Sequence, residues 1–334
     1  MSKRYFFLAV NTGLMSNGLP DARCRDFYRA RSGNGLHCAI VGNVVTPNGF
    51  GSNDVCSKIS GDSAWGNLAE AISEQGAIAG IQLSSTWTGY CGITKFVPKS
   101  RDEQAAVYQS LASSLTKSDA IAAFDSLRHG TELAVKAGFR HVQLHAAHGY
   151  LFNMLVDRRF SHHADFAIRE IESWACELKS IEVETSIRFS MWTGHQAFDH
   201  VHPSKFTDEI ASLSVDYLDA SVGFYNLDKR LIYPSTSQIL AERVAATLAI
   251  AKRHPNTKLI LSGMSSHAWD SELPDNVEIG ICRDLIANPN FMRERKNGCT
   301  TCMKCHYFSR GFSHISCGHW SNDSAQSVDD ALQE

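Results

Sequence analysis

Short apolar runs, each four to seven residues long, alternate along the chain with longer segments whose apolar residues recur every three or four positions. The runs fall at Tyr5–Val10, Leu36–Val41, Ala77–Leu83, the stretch around Val142 and Leu144, Val183–Phe189, Val215–Ala220, Lys258–Leu261 and Val277–Ile281, and each predicts a strand. The segments Asp21–Arg31, Trp65–Gln75, Asp165–Leu178, Ser204–Leu213 and Gln238–His254 predict helices. A further helix is expected to open near Thr116-Lys117-Ser118-Asp119, capped by Ser118 or Asp119, and to run to Ala137. Thr46–Ser60 reads as loop, and Thr86–Leu115 as one long connection of the kind that carries function. Eight strands with no two adjacent in sequence argue a parallel α/β protein, closed as a (β/α)8 (TIM) barrel. No Gly-x-Gly-x-x-Gly follows a strand, which argues against a dinucleotide fold.

Composition narrows the class. The 334 residues are 43% apolar and 20% charged, with a formal charge of −3, an ordinary globular balance that gives no nucleic-acid or membrane footprint. No apolar run reaches the ~18 residues that a bilayer demands, and MSKRYFFLAV reads as a first strand rather than a signal peptide. A cytoplasmic setting is therefore expected, where the 10 cysteines are thiols or metal ligands rather than disulfides. The barrel is expected over residues 1–297, a short C-terminal cysteine-rich appendage over 298–320, and a frayed polar tail over 321–334.

The notable polar residues fall at the C-terminal ends of strands. Thr12 follows the first, Gln82 ends the third, His145, His148 and Tyr150 follow the fourth, Arg188 ends the fifth and Arg283 follows the eighth. In a barrel these ends share one face, and phosphate groups sit on the loops after the last two strands. Ser262, Gly263 and Arg283 stand there and offer backbone amides, a hydroxyl and a forked cation. A phosphorylated cofactor across the barrel mouth is the expectation.

The stretch AGFRHVQLHAAHGYLFN resembles the AGFD-x-VEIHxAHGYLLxQF signature of the Old Yellow Enzyme family of FMN-dependent ene-reductases. GLHCAIVGNVVTPNGFG is similar to that family's GLIITEGTAVSPxGRG, IQLSSTWTG to its LQLWHxGR, Ile187-Arg188-Phe189-Ser190 to its VRLS, and Cys282 to Pro289 to its GRPLIADP. Ala9 to Thr12 lies where the family has Ala-Pro-Met-Thr. The resemblance implies FMN, held by Thr12 and Gln82 at the pyrimidine or carbonyl edge, Arg188 near the ring's negative charge, and Ser262, Gly263 and Arg283 at the phosphate. It implies that His145 and His148 donate to a substrate carbonyl, that Tyr150 supplies a proton, and that NAD(P)H is the reductant for a small-molecule substrate. The chain departs from the family at Ser84-Ser85, at Ser161 to Asp165, at Val10-Asn11 and at Cys282.

Cys299, Cys302, Cys305 and Cys317 have the close spacing of an iron–sulfur or zinc site. They resemble the cysteine run of the 2,4-dienoyl-CoA reductase and trimethylamine dehydrogenase branch, which implies a four-iron four-sulfur cluster; zinc or free thiols are the alternatives. That branch carries a further reductase domain with no counterpart before Glu334, so a separate electron-transfer protein is the expected partner. A homo-oligomer is compatible with this reading. The leading function is reduction of an α,β-unsaturated carbonyl compound. Amine dehydrogenation or demethylation through a cluster, and a non-catalytic flavin or iron–sulfur sensor or carrier, are the alternatives.

Overall fold

The computed structural model describes residues 3–53, 55–200, 203–263 and 272–320. Eight parallel strands close a barrel: β1 (Tyr5–Val10), β2 (Cys38–Val45), β3 (Ile78–Ser84), β4 (His141–Ala146), β5 (Glu184–Ser190), β6 (Tyr217–Ser221), β7 (Leu259–Leu261) and β8 (Val277–Ile281). Neighbours follow chain order around the ring, and β8 pairs with β1 through Tyr5–Ile279 and Phe7–Ile281. Every strand matches a run read from the sequence, because outward positions such as Val142, Leu144, Ile187 and Phe189 must all be apolar to meet the helices. Those helices supply Trp65, Leu68, Phe124, Leu127, Ile171 and Trp174, all buried.

The two halves of the barrel interior differ. Phe6, Leu8, Cys38, Ile40 and Ile260 form an apolar side with the ring of Tyr217. This side is full: a Cβ on Gly280 would stand 2.7 Å from Leu8 Cδ2. The other side carries Gln82 on β3, His141, Gln143 and His145 on β4, Glu184, Ser186 and Arg188 on β5, and Asp219 and Ser221 on β6. Such a stretch of polar groups in a barrel core requires that each find a partner.

Two elements differ from the sequence reading. The long connection holds a helix, Arg101–Ser114, whose cap Ser100 accepts from Glu103 N. It buries only Ala105 and Tyr108, too thin an apolar stripe to show as a period. The next helix, Lys117–Lys136, is capped by Thr116 rather than by Ser118 or Asp119. Thr116 Oγ1 accepts from Asp119 N at 3.2 Å while Asp119 Oδ2 accepts from Thr116 N at 2.9 Å, so Asp119 is the second half of a capping box.

The C-terminal segment folds back onto the barrel. Ile315 N donates to Thr12 O at 2.7 Å, Trp320 Nε1 to Ile286 O at 2.9 Å, and Tyr307 and Ile315 are buried. The tail 321–334 lies outside the described residues. Among the described residues no helix is long and apolar enough to cross a membrane.

Candidate active site

A cavity of about 190 Å³ opens at the C-terminal end of the strands, the face on which the sequence places its chemistry. Gln82, His145, His148, Tyr150, Arg188, Gly263 and Arg283 line it, as do Arg243 and residues 305–309 of the C-terminal segment. Two expected residues are not brought there. Thr12 is buried beside it, its hydroxyl accepting from Leu14 N at 3.2 Å, and Asn11 faces the cavity instead. Ser262 turns its hydroxyl to Ala220 O at 3.0 Å and serves as a support for Arg243.

The turn after β4 aims the imidazoles. His148 and Gly149 both adopt left-handed backbone, φ 63° and 77°. A non-glycine residue pays about 1–3 kcal/mol for this, so His148 is over-determined by its neighbours. Its N–H donates to Ser190 Oγ at 2.9 Å and its carbonyl accepts from Tyr225 N at 2.9 Å. Gly149 has no room for a side chain, since a Cβ would meet Phe224 Cδ2 at 2.6 Å and Tyr108 Cε1 at 2.8 Å. The turn sets Tyr150 against His145, rings stacked with centroids 4.8 Å apart, and His148 edge-on to His145 at 5.1 Å.

Burial decides the protonation states. It pushes His145 down to about 3, with the Arg188 cation adding to the effect, and drives His148 well below the ordinary histidine value with help from His145 and Arg188. Both rings are neutral. Ala147 N donates to His145 Nδ1 at 3.4 Å, which leaves the proton on Nε2. Ser221 Oγ accepts from Arg243 at 3.2 Å and has His148 Nε2 at 2.7 Å as the acceptor for its own proton, so His148 carries its proton on Nδ1. Each imidazole is thereby a donor of one N–H. Burial likewise holds the Tyr150 phenol protonated, its value raised well above 10 despite a hydrogen bond with Ser52.

Three guanidiniums stand around the same cavity. Arg188 donates to Asp219 Oδ2 at 2.9 Å, Arg243 to Ala220 O at 3.2 Å and to Ser221 and Ser262, and Arg283 to Pro234 O at 2.5 Å. Each keeps buried N–H groups without a partner among the described residues: Arg188 Nε, Arg243 Nε and Nη1, and Arg283 Nη1. Unspent buried donors of this kind are costly, and an anionic ligand with several acceptor oxygens satisfies them. These residues fit a phosphorylated, electron-rich cofactor such as FMN. Arg243 escaped the sequence reading, although it shares the buried stripe of helix Ser237–Arg253 with Thr247, Ile250 and Ala251. An arginine at a core position of an amphipathic helix was the available signal.

Aromatic rings close the outer wall: Tyr150 and Tyr225 pack with Tyr90 and Tyr233, and His306 lies edge-on to Tyr233 at 4.3 Å. Of the four cysteines of the C-terminal segment, Cys305 lines the cavity and the Cys317 thiol donates a hydrogen bond to Cys302 Sγ. Cys302 stays below the ordinary thiol value, partial burial being outweighed by backbone N–H groups of Lys304 and Gly318, while burial pushes Cys305 up to about 12. Among the described residues no group of three His, Cys, Asp or Glu side chains is placed to hold a metal ion.

Residues 10–301 match the model of the NADH:flavin oxidoreductase / NADH oxidase family. No curated protein sequence matches the chain. Among solved structures, a 2-naphthoyl-CoA reductase in complex with 2-naphthoyl-CoA superposes with a TM-score of 0.74 at 13% identity, over 98% of this chain and 56% of that one. An old yellow enzyme homologue from Zymomonas mobilis gives 0.60 at 17% identity, over 87% of this chain and 88% of its own. Old Yellow Enzyme from a Pichia species gives 0.67 at 14%, over 96% and 92%. This chain thus spans little more than half of the reductase and most of the other two; at these identities the likeness is one of fold.

Proposed function

The chain belongs to the NADH:flavin oxidoreductase / NADH oxidase family, and on that premise we propose that it is an FMN-dependent NADH oxidoreductase of the ene-reductase type, acting on α,β-unsaturated carbonyl compounds or similar conjugated substrates. When bound, FMN supplies the two-electron chemistry, accepting a hydride from NADH and delivering one to the substrate. Arg243, Arg283 and the backbone at Gly263 hold its phosphate, and Arg188 and Gln82 face its ring. His145 Nε2–H and His148 Nδ1–H meet the substrate's carbonyl oxygen, where negative charge develops as the conjugated double bond is reduced. Tyr150, protonated and stacked on His145, gives a proton to the other alkene carbon.

The observation that carries this reading is the pairing of two neutral imidazole donors with a protonated phenol beside a group of unspent guanidinium donors. The test is anaerobic. Protein loaded with FMN is reduced with NADH and mixed with cyclohexenone, and reoxidation with formation of cyclohexanone supports the reading. A specific observation favours a second one. The faces of Tyr150, Tyr225 and Tyr233 suit an ammonium group, so flavin reduction by a tertiary amine would mark an amine dehydrogenase. A flavin that neither substrate turns over would leave a redox carrier or sensor.

Membership of the branch with a four-iron four-sulfur cluster rests on cysteine spacing alone. Iron, zinc and acid-labile sulfide assays on anaerobically purified protein test it, together with the proposals of an electron-transfer partner and of oligomerisation by co-purification and sedimentation. A cytoplasmic location is part of the same proposal, and cell fractionation tests it.

A further inference from the structure

Five groups on the polar side of the barrel interior form a hydrogen-bonded file, and the chemistry above uses only its end at Gln82. The file begins at Glu184, whose Oε2 lies 3.2 Å from His141 Nδ1 and 3.0 Å from His37 Nε2. His141 Nε2 lies 2.8 Å from Ser186 Oγ, Gln143 Nε2 donates to Ser186 Oγ at 3.1 Å, and Gln82 Nε2 donates to Gln143 Oε1 at 2.6 Å. The strand register makes this possible, because Gln82 lies opposite Gln143, Gln143 opposite Ser186 and His141 opposite Glu184. His141, Gln143 and Ser186 are 0% exposed, so they satisfy one another. Gln82 lines the mouth cavity.

Donor and acceptor accounting gives the file a direction. Burial works against the Glu184 carboxylate, but hydrogen bonds from His141 and His37, with their charge interactions, outweigh it and keep the group ionised. An ionised carboxylate only accepts, so His141 Nδ1 carries a proton. In the tautomer with that proton alone, Nε2 accepts, and the Ser186 hydroxyl donates to it. Ser186 then accepts from Gln143 Nε2, Gln143 Oε1 accepts from Gln82 Nε2, and Gln82 presents its Oε1 to the mouth.

We propose that this file is a directional relay: Glu184, His141, Ser186 and Gln143 are positioning residues that set which end of the Gln82 carboxamide faces the cavity, and a second proton on His141 reverses it. The reversal follows from the same accounting. A doubly protonated ring donates from Nε2, so Ser186 must find another acceptor for its own proton. Gln143 is its only other partner among the described residues, and it must turn its Oε1 toward Ser186. Its Nε2 then points at Gln82, which turns in its place and shows an N–H to the mouth.

Charged and titratable groups surround His141 on every side. Glu184 comes from β5, His37 and Cys38 from the start of β2, and Tyr217 from β6 with ring centroids 6.1 Å apart. Arg4, ahead of β1, bonds Glu184 and Tyr217, Glu278 of β8 accepts from Arg4 N at 2.6 Å, and Lys258 ahead of β7 lies 5.5 Å over the Tyr217 ring. The relay rests on the FMN reading only for what Gln82 meets. An amide oxygen at the mouth suits an N–H of a bound ring, whereas an amide N–H suits a carbonyl oxygen gathering negative charge. A fall in pH thus converts Gln82 at the mouth from a hydrogen-bond acceptor to a donor.

The test reads the relay first without flavin, by NMR of protein labelled with 15N in histidine and glutamine. At neutral pH the His141 ring is expected as the Nδ1–H tautomer, and as pH is lowered the Gln82 side-chain amide is expected to shift with the midpoint of His141. In Ser186→Ala, His141 still titrates and Gln82 no longer follows, while Ser186→Thr, which keeps the hydroxyl, restores the coupling. An Nε2–H tautomer in the wild type, or a Gln82 signal that follows His141 equally in Ser186→Ala, overturns the proposal; the wild-type tautomer decides it even if Ser186→Ala fails to fold. Protein loaded with FMN is then expected to show a pH step in its flavin absorption at the same midpoint, lost in Ser186→Ala. A working relay in protein that binds no FMN supports the relay and overturns the cofactor reading instead.

Discussion

Replacing Arg243 by methionine is expected to leave the flavin-free protein about as stable and to make the flavin-bound one less so. Arg243 is fully buried with no carboxylate bonded to it, and burial, with the Arg188 cation adding, pushes it down to about 9. Arginine ordinarily titrates above 12, so the fall is roughly 3 pH units, and at about 1.36 kcal/mol each the buried cation costs the fold about 4 kcal/mol at neutral pH. The sign is that of a base lowered on folding: stability at neutral pH is reduced, and it recovers only above about 9. Methionine removes this cost and gives up the charged-donor bonds to Ala220 O, Ser221 Oγ and Ser262 Oγ, at about 1.5 kcal/mol each. The two contributions nearly cancel, so the apoprotein melting temperature is expected to move by no more than about 2 °C. The loaded protein is destabilised, because the bound anion loses Nε and Nη1. Loss of two charged donors at about 1.5 kcal/mol each weakens FMN binding by about 3 kcal/mol, roughly a hundredfold. Differential scanning fluorimetry of the apoprotein and fluorescence titration with FMN measure the two arms. An FMN affinity unchanged in Arg243→Met would refute the assignment.

Three further outcomes follow from the site and the core. Tyr150→Phe should leave flavin reduction by NADH intact and slow reoxidation by an enone about 10²–10⁴-fold; equal reoxidation rates in stopped flow would remove the phenol from the reaction. Gly149→Ala adds a Cβ 2.6 Å from Phe224 at φ 77°, a combined strain and overpacking of about 2–4 kcal/mol. Its melting temperature should fall by several degrees with loss of turnover, and an unchanged melt would contradict the packing. Glu184, kept ionised by His141 and His37, has a folded value below its unfolded one, so its stabilisation is complete above about pH 4.3 and is lost as pH falls further. Glu184→Gln should therefore be less stable than the wild type by about 1–3 kcal/mol at pH 7, with the deficit shrinking below pH 4 in urea titrations; a deficit independent of pH would count against the ionised carboxylate.

The outer faces of the strands were legible in the sequence and the inner ones were not, for one physical reason. An outward position on any of the eight strands meets a helix, so the requirement is local and uniform: Val142, Leu144, Ile187 and Phe189 are apolar whatever lies elsewhere. An inward position is set by the strands on either side, which lie well away from it in the chain. Gln143 looks like a flaw in an apolar run until Gln82, 61 residues before it, and Ser186, 43 after it, supply its partners. His141 lies within the AGFRHVQLHAAHGYLFN stretch and has the look of an ordinary strand residue, because Glu184 is what gives it a task. Thr12 and Asn11 show the finer limit. Successive residues leaving a strand face opposite ways, so a motif locates the strand end to within a residue, and which of the two enters the cavity is settled by what packs on the other. Here the C-terminal segment does so, Ile315 N closing on Thr12 O, and Asn11 is left to face the mouth. The same segment contributes Cys305 to Ser309 to the cavity wall, so residues that read as an appendage complete the site that the strands begin.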